Sequence, residues 1–376
     1  MDAPGAARPR AADGRPAAAR PRSGLYPGSV ALPPLDSPWS IAGVRIPNRV
    51  TLAPLAGIGN WVTRLQAKRH GAGYAVSEMV SSFAIHHRNE KTLRDLLTFK
   101  PQERDGGPVA IQLFGQDPEV MRSAAAYVAE HVPQVDVIDL NMGCPVPKVC
   151  KTGAGAAMLK DPDTAVAVAR AAAEGSGLPV TVKLRSASRK DGEHDGYALA
   201  ARLVDEAGVA SIGFHPRSAQ VHHRGTPDYD LAARLVEELP VPVVLTGGLH
   251  TARETLEAYD RVRPAAVMLA RGALGNPWLF STLLGRRDDV PPSVAEVLAE
   301  ADWVLDRTVE HLGAERAARY LRKHHPWYVA RLVEAGAAVA SDPAAHRALQ
   351  DALQRSADVE EARGLLHDAG QASVPG

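Results

Sequence analysis

The feature that most limits what this chain can fold into is an eightfold alternation. Short β-rich apolar runs are each followed by a longer Ala/Leu/Glu/Arg segment of helical period. The runs are VTLAPLAG (50–57), YAVSEM (74–79), VAIQLFG (109–115), VDVIDLNMG (135–143), PVTVKLRS (179–186), VASIGFHPR (209–217), PVVLTGG (242–248) and AAVMLARG (265–272). Each is nearly continuously apolar, the pattern of parallel strands covered on both faces. Eight βα units over roughly 240 residues predict a (β/α)8 barrel. A doubly wound sheet usually has fewer strands and a glycine fingerprint after its first strand, and neither fits. The GAGAAM segment (153–158) lacks the third glycine and does not directly follow a strand.

The flanks of this region differ from it. Residues 1–38 are an Ala/Pro/Arg-rich segment with few large apolar side chains, expected to be a disordered tail. Its arginines 8, 10, 15, 20 and 22 outnumber its acids, so weak contact with RNA is conceivable beside a purely compositional origin. The stretch WSIAGVRIPNRV (39–50) reads as a hairpin closing the barrel floor. The barrel is expected over 39–288. From 289 to 376 the strand signals stop and helical period continues, which predicts a C-terminal all-helical domain.

Composition narrows the class. The chain of 376 residues has two cysteines, Cys144 and Cys150, and zero formal net charge. That excludes a disulfide framework and fits a reducing cytoplasm. Bulk charge gives no sign of a nucleic-acid partner. No apolar run is long enough to cross a membrane, and no secretion signal opens the chain. The two cysteines lie six apart with no histidine nearby, which is not zinc spacing, so no metal is expected.

In such barrels the chemistry sits at the C-terminal strand ends, and the polar residues collect there. Strand by strand they are Pro54-Leu55-Ala56, Glu78, Gln112, Asn141 with Cys144, Lys183 with Arg185, His215 with Arg217, Thr246-Gly247-Gly248, and Arg271. The last two Gly-containing turns match the phosphate site of this fold. Each residue also has a purely structural reading. Gln112 could be a satisfied core amide, Lys183 could pair with Asp139 or Glu78, His215 could be a neutral core histidine, and Cys144 could be a small buried hydrophobe. Their convergence on one rim favours a site. A cysteine between Gly143 and Pro145 at a strand end is placed to exchange a proton with a substrate.

These residues carry a recognisable pattern. APLAGIGN (53–60), SEMV (77–80), IQLFG (111–115) and above all DLNMGCPVPKVCKTGAGAAML (139–159) resemble the tRNA-dihydrouridine synthases. So do VKLR (182–185), FHPRS (214–218), LTGG (245–248), ARGALGNPWLF (270–280) and YLRKHHPWY (320–328). The resemblance implies an FMN enzyme that uses NADPH, or NADH, to saturate the C5=C6 bond of a uridine in tRNA. It implies FMN contacts at Pro54, Leu55, Ala56, Gln112, Lys183, His215, Thr246, Gly247, Gly248, Ala270 and Arg271. Hydride would pass from reduced flavin to C6, and Cys144 would protonate C5 as the catalytic residue. Asn141, Lys148 and Arg217 are candidates for holding the RNA. Three departures from the family pattern stand out: Thr246-Gly247-Gly248 where Asn-Gly-Asp is usual, Ala270-Arg271 where Gly-Arg is usual, and HPRSAQVHHRG after strand six.

The helical region is acidic overall, yet residues 316–331 hold Arg316, Arg319, Arg322, Lys323 and Arg331 with no acid, beside Trp327 and Tyr328. Arg319, Arg322 and Lys323 are therefore candidate tRNA contacts, against a reading in which the aromatics pack on the barrel. No obligate protein partner is evident, and a monomer is expected. A small-molecule FMN reductase acting on an enone or dihydroorotate-like substrate, a Schiff-base aldolase using Lys183, and a catalytically idle RNA-binding relative remain the competing readings.

Overall fold

A computed structural model describes residues 31–190, 194–337, 339 and 342–371. The chain divides into residues 1–32 and 33–376, and every described strand and helix belongs to the second unit. Most of the expected tail, with its five arginines, lies outside the described residues.

Strands β1 (Trp39–Ile41) and β2 (Val44–Ile46) form an antiparallel hairpin. Its Trp39, Ile41 and Ile46 are buried in one cluster with Tyr74, Val76, Ala110, Val137, Val244 and Ala266 of the barrel strands. The hairpin therefore plugs the barrel floor. The barrel strands are β3 (Val50–Leu52), β4 (Tyr74–Ser81), β5 (Val109–Phe114), β6 (Val137–Met142), β7 (Val180–Ala187), β8 (Ser211–Ser218), β9 (Val243–Thr246) and β10 (Ala266–Leu269). They pair in parallel and close in the order β10-β3-β4-β5-β6-β7-β8-β9, the (β/α)8 barrel that the alternation predicts. β8 is buried at all eight positions, the double-sided burial that gives such strands no polar alternation.

The connecting helices start where their sequences supply acceptors for free backbone N–H groups. Asn60, Asp117, Asp161 and Asp228 cap the helices over 61–69, 118–131, 162–176 and 229–238, and Pro118 and Pro162 occupy first-turn positions. These caps fix the strand-to-helix turns, and the turns carry the site.

Among the described residues five further α-helices follow, at Val294–Leu312, Ala314–Leu321, His325–Glu334, Pro343–Arg355 and Val359–Gln371. They share one apolar cluster with Trp61, Val62 and Trp278 of the barrel's outer layer. A polar tie crosses the same boundary, where Gln66 Nε2 donates to Glu300 and to the Tyr328 hydroxyl, each at 2.9 Å. Among the described residues no helix is long and apolar enough to cross a membrane.

Candidate active site

The C-terminal ends of the strands enclose a cavity of about 360 Å³, within the usual range for small-ligand sites. Pro54, Leu55 and Ala56 from β3 line it, with Gln112 from β5, Asn141 and Cys144 from β6, Lys183 from β7, and His215 and Arg217 from β8. Thr246, Gly247, Gly248, Ala270 and Arg271 from β9 and β10 complete the wall. Every cofactor-contact candidate read from the sequence thus opens onto one space. So do Met79, Arg185, His222, His223 and His250, which lie outside that set of candidates.

The charge of this lining is one-sided. Lys183, Arg185, Arg217 and Arg271 join four histidines, and the described lining includes no carboxylate. The histidines carry the consequence. Burial, then Lys183, Arg185 and Arg217, pushes His215 well below its ordinary value. Burial, then Arg271, Arg185 and Arg217, pushes His223 down to about 4. Both rings are neutral at neutral pH. Arg217 Nη1 lies 3.3 Å from His215 Nε2, so the guanidinium donates to a neutral ring. Burial and Arg185 push Lys183 down to about 8. Buried Asp139 offsets part of this at Lys183, and the excess of cations that remains is stabilised by an arriving anion.

Gly247 makes the cradle possible. Its φ of +101° is one that L side chains avoid, and a Cβ there would collide with the His215 ring. Beside it, where the family pattern usually carries an aspartate, the Tyr229 hydroxyl fills the space against Gly248 and donates to the Gly247 carbonyl at 3.0 Å.

A buried relay leads to Cys144. The Thr181 hydroxyl donates to Asp139 Oδ1 at 2.6 Å, and Gln112 Nε2 donates to Asp139 Oδ2 at 2.7 Å. Asn141 Nδ2 then donates to Gln112 Oε1 at 2.8 Å. That leaves Asn141 Oδ1 to accept from the Gly143 and Cys144 backbone N–H groups at 3.2 and 2.9 Å. Each amide orientation is dictated by the one before it. Burial raises Asp139 to about 6, against the hydrogen bonds that hold it down. Cys144 itself is half-buried, and burial pushes its thiol up, so it keeps its proton at neutral pH. The Cys144 carbonyl accepts from the Cys150 thiol at 3.3 Å and from Ala156 N at 3.0 Å, pinning the loop from below.

Other candidates lie elsewhere. Glu78 does not pair with Lys183. It is held 3.2 Å from Arg64, whose Nε also binds Glu103 at 2.6 Å, in a buried triad away from the cavity. Lys148 is on the short helix Pro147–Cys150 outside the cavity lining. Arg319 is exposed and pairs with Glu315 at 3.1 Å, and Arg322 Nη2 donates to the Ser356 carbonyl at 3.2 Å. Lys323 Nζ donates to the Gly57 carbonyl at 2.7 Å and sits over the Tyr320 ring, whose hydroxyl bonds the Ile58 carbonyl. This part of the basic stretch clamps the β3 loop from which Leu55 and Ala56 enter the cavity. Tyr328 is buried at 2% exposure and so is spent in packing, while Trp327, partly buried, lies with its Cβ and backbone against Gly275. Asp139 is the main residue that the sequence reading misses as part of the site. The signal is present: Asp139 and Asn141 alternate on β6, so both side chains share the inner face.

Residues 51–362 match the profile of the family described as Dihydrouridine synthase (Dus). The chain is 32% identical over 295 residues to tRNA-dihydrouridine synthase B of Xanthomonas axonopodis pv. citri (strain 306), covering 77% of this chain and 85% of that one. It is 34% identical over 325 residues to a probable tRNA-dihydrouridine synthase of Rhodobacter capsulatus, covering 82% and 96%. Among solved structures, morphinone reductase superposes with a TM-score of 0.52 at 17% identity, over 70% of this chain and 93% of that one. A 2-naphthoyl-CoA reductase complex gives 0.54 at 10%, over 67% and 52%. At those identities the likeness is one of fold. By its profile match and its sequence relatives the chain belongs to the dihydrouridine synthase family, the flavin-dependent oxidoreductases that use NAD(P)H to reduce a uridine of tRNA to dihydrouridine.

Proposed function

We propose that the chain performs its family's reaction with FMN held in the mouth cavity and with Cys144 as the proton donor to C5 of the target uridine. The observation that carries this reading is the juxtaposition of a carboxylate-free cationic cradle with a protonated thiol on one rim. The residues fit the cofactor. Gly247 leaves the cradle open where a side chain would fill it, and Arg217, Arg271 and the turns at 246–248 and 270–271 suit a phosphate. Pro54, Leu55 and Ala56 offer an apolar wall for a planar ring.

Bound there, reduced FMN supplies the hydride for uridine C6. The chain's own residues do the rest. Lys183 stabilises negative charge that collects on the ring system, and neutral His215 donates a hydrogen bond. Gln112 is 1% exposed, with its amide engaged by Asp139 and Asn141, so it acts chiefly by aligning Asn141. Asn141 holds the Cys144 backbone, and the burial that keeps the thiol protonated makes it an acid rather than a nucleophile. The uridine must leave its stack to reach this depth. Helices from residue 289 onward recruit the tRNA, with Arg319 the most available of the basic candidates. NADPH as reductant, a monomeric state and a cytoplasmic location complete the reading.

The test is the visible spectrum of the purified protein, before and after anaerobic addition of NADPH and then of unmodified tRNA. Flavin bands that bleach with NADPH and return with tRNA support the assignment. Bands that return with a small enone and not with tRNA would transfer the reading to a small-molecule reductase. A colourless protein that takes up no FMN would end it.

A further inference from the structure

The loop after β4 builds a surface that the cavity chemistry leaves unused. Phe83 is 63% exposed, the highest value among the exposed large apolar side chains described. It sits on the short helix Ser82–His86, whose Ser82 and Ile85 are buried at 1% and 0% exposure. Gly115 lets that helix come close, because a Cβ there would strike the Ser82 hydroxyl. The turn is tied at both ends. Ser81 Oγ accepts from Ala84 N at 3.3 Å, and Asn89 Oδ1 accepts from Thr92 N at 3.0 Å. Phe83 therefore faces water because the backbone beneath it is fixed.

Its surroundings are aromatic and basic. The His87 ring centre lies 4.1 Å from that of Phe83, and His86 lies 4.7 Å from His87. His86 Nδ1 is buried with no hydrogen-bond partner among the described residues. Arg88 has φ +54°, a conformation that favours glycine, and its guanidinium stacks 4.1 Å from the Tyr127 ring centre. Arg88 Nη1 also donates to the Ile85 and His86 carbonyls at 2.6 and 3.3 Å, so this side chain closes the end of the helix and keeps its positive charge beside the two histidines. The helix begins where β4 ends, on the side of the barrel at which the strand ends enclose the cavity. Met79 of β4, four residues before Phe83, lines the cavity, and Gln116 of the adjoining loop packs on Gly153 of the Cys144 loop.

We propose that Phe83 and His87 form a stacking platform for an unpaired tRNA base beside the uridine that enters the cavity, with Arg88 supplying local positive charge. This rests on the tRNA reading above. Extracting a uridine removes a stacking face from its neighbours, and an exposed aromatic ring at the mouth replaces that face with little regard to base identity. The chain's formal net charge is zero, so its hold on RNA comes from local features, and this platform adds one to the cationic mouth and the C-terminal helices. A single ring flanked by histidines and arginine is too small and too polar for a stable protein interface.

The test compares Phe83→Ala, Phe83→Leu and Phe83→Trp with the wild type, on unmodified tRNA at fixed salt. F83A should raise the KM for tRNA by about 5- to 150-fold, the span of base–aromatic stacking. Its kcat and the anaerobic rate of flavin reduction by NADPH should stay as in the wild type. F83W should restore KM, and its fluorescence should quench on tRNA binding, whereas F83L should behave like F83A. A wild-type KM in F83A, or full rescue by leucine, overturns the platform. A fall in sedimentation mass in F83A with KM unchanged would show the ring to be a self-association contact instead. If the wild type turns over no tRNA at all, the functional reading itself fails, a result distinct from turnover that ignores Phe83.

Discussion

Replacing Asp139 separates two uses that a buried carboxylate can have: as a charge, or as a pair of acceptors. Its 4% exposure and its rise from 3.8 to about 6 mean that the fold disfavours the ionised form by roughly 3 kcal/mol relative to the protonated one. Asp139→Asn removes that penalty and keeps an acceptor for Gln112, while the Thr181 hydroxyl can rotate to accept from the new amide. At pH 7 this variant should be as stable as the wild type, or more stable by up to about 3 kcal/mol, with uridine reduction within a few-fold. Asp139→Ala leaves the Thr181 hydroxyl and the Gln112 amide buried without their acceptor. At about 1–3 kcal/mol each, it should lose roughly 2–6 kcal/mol, and the freed Gln112 should let the Cys144 loop drift. The folded-state pKa is raised, so the stability that this carboxyl contributes is fully present below its unfolded value near 4 and is lost as pH rises through about 6. The wild type should therefore gain on D139N as pH falls from 7 to 4. Urea unfolding across that range, paired with dihydrouridine formation, provides the measurement. If D139N loses activity as severely as D139A, or the stability gap moves the other way with pH, the acceptor argument is refuted.

Cys144→Ala should leave flavin retention and NADPH oxidation near the wild-type level while uridine reduction falls by roughly 10²–10⁴, as for a lost general acid, because the Asn141 bonds go to backbone atoms; collapse of flavin binding would make Cys144 structural. Gly247→Ala should displace His215 and strip the flavin during desalting, readable as lost visible absorbance per protein. His325, 1% exposed and pushed down to about 4 by burial, contributes stability that is present above pH 6.5 and lost as pH falls toward 4. His325→Leu should therefore shed roughly 3 kcal/mol of acid destabilisation, and thermal melts from pH 7 to 4 that run parallel for the two proteins would contradict this.

Much of the architecture was legible because parallel strands advertise themselves. All eight apolar runs are barrel strands, and the hairpin over 39–50 closes the floor. The site was legible at strand ends because the fold places every such end on one rim, so Gln112, Lys183, His215 and Arg271 meet despite their spacing in the chain. Two kinds of error had physical causes. Glu78 looked like a rim residue because position along a strand does not tell which face a side chain takes at an irregular pairing, and the β4–β5 register shifts between Val76 and Met79. Tyr328 looked available for RNA because a basic helix with aromatics reads alike whether its ring stacks on a ligand or, as here, packs beneath Gln66.

The sequence by itself determined the alternation of elements, their caps and the chemical types gathered at the strand ends, since these follow from local periodicity and side-chain acceptors. Only the tertiary structure decided which of those groups are neutral, which amides point where, and which cations are free. Thr181 on β7 orders Asp139 and so, through Gln112 and Asn141, the Cys144 loop, and His215 is uncharged because it is buried among Lys183, Arg185 and Arg217. Protonation and hydrogen-bond direction depend on burial and on neighbours brought from distant strands, and no stretch of sequence holds those in one place.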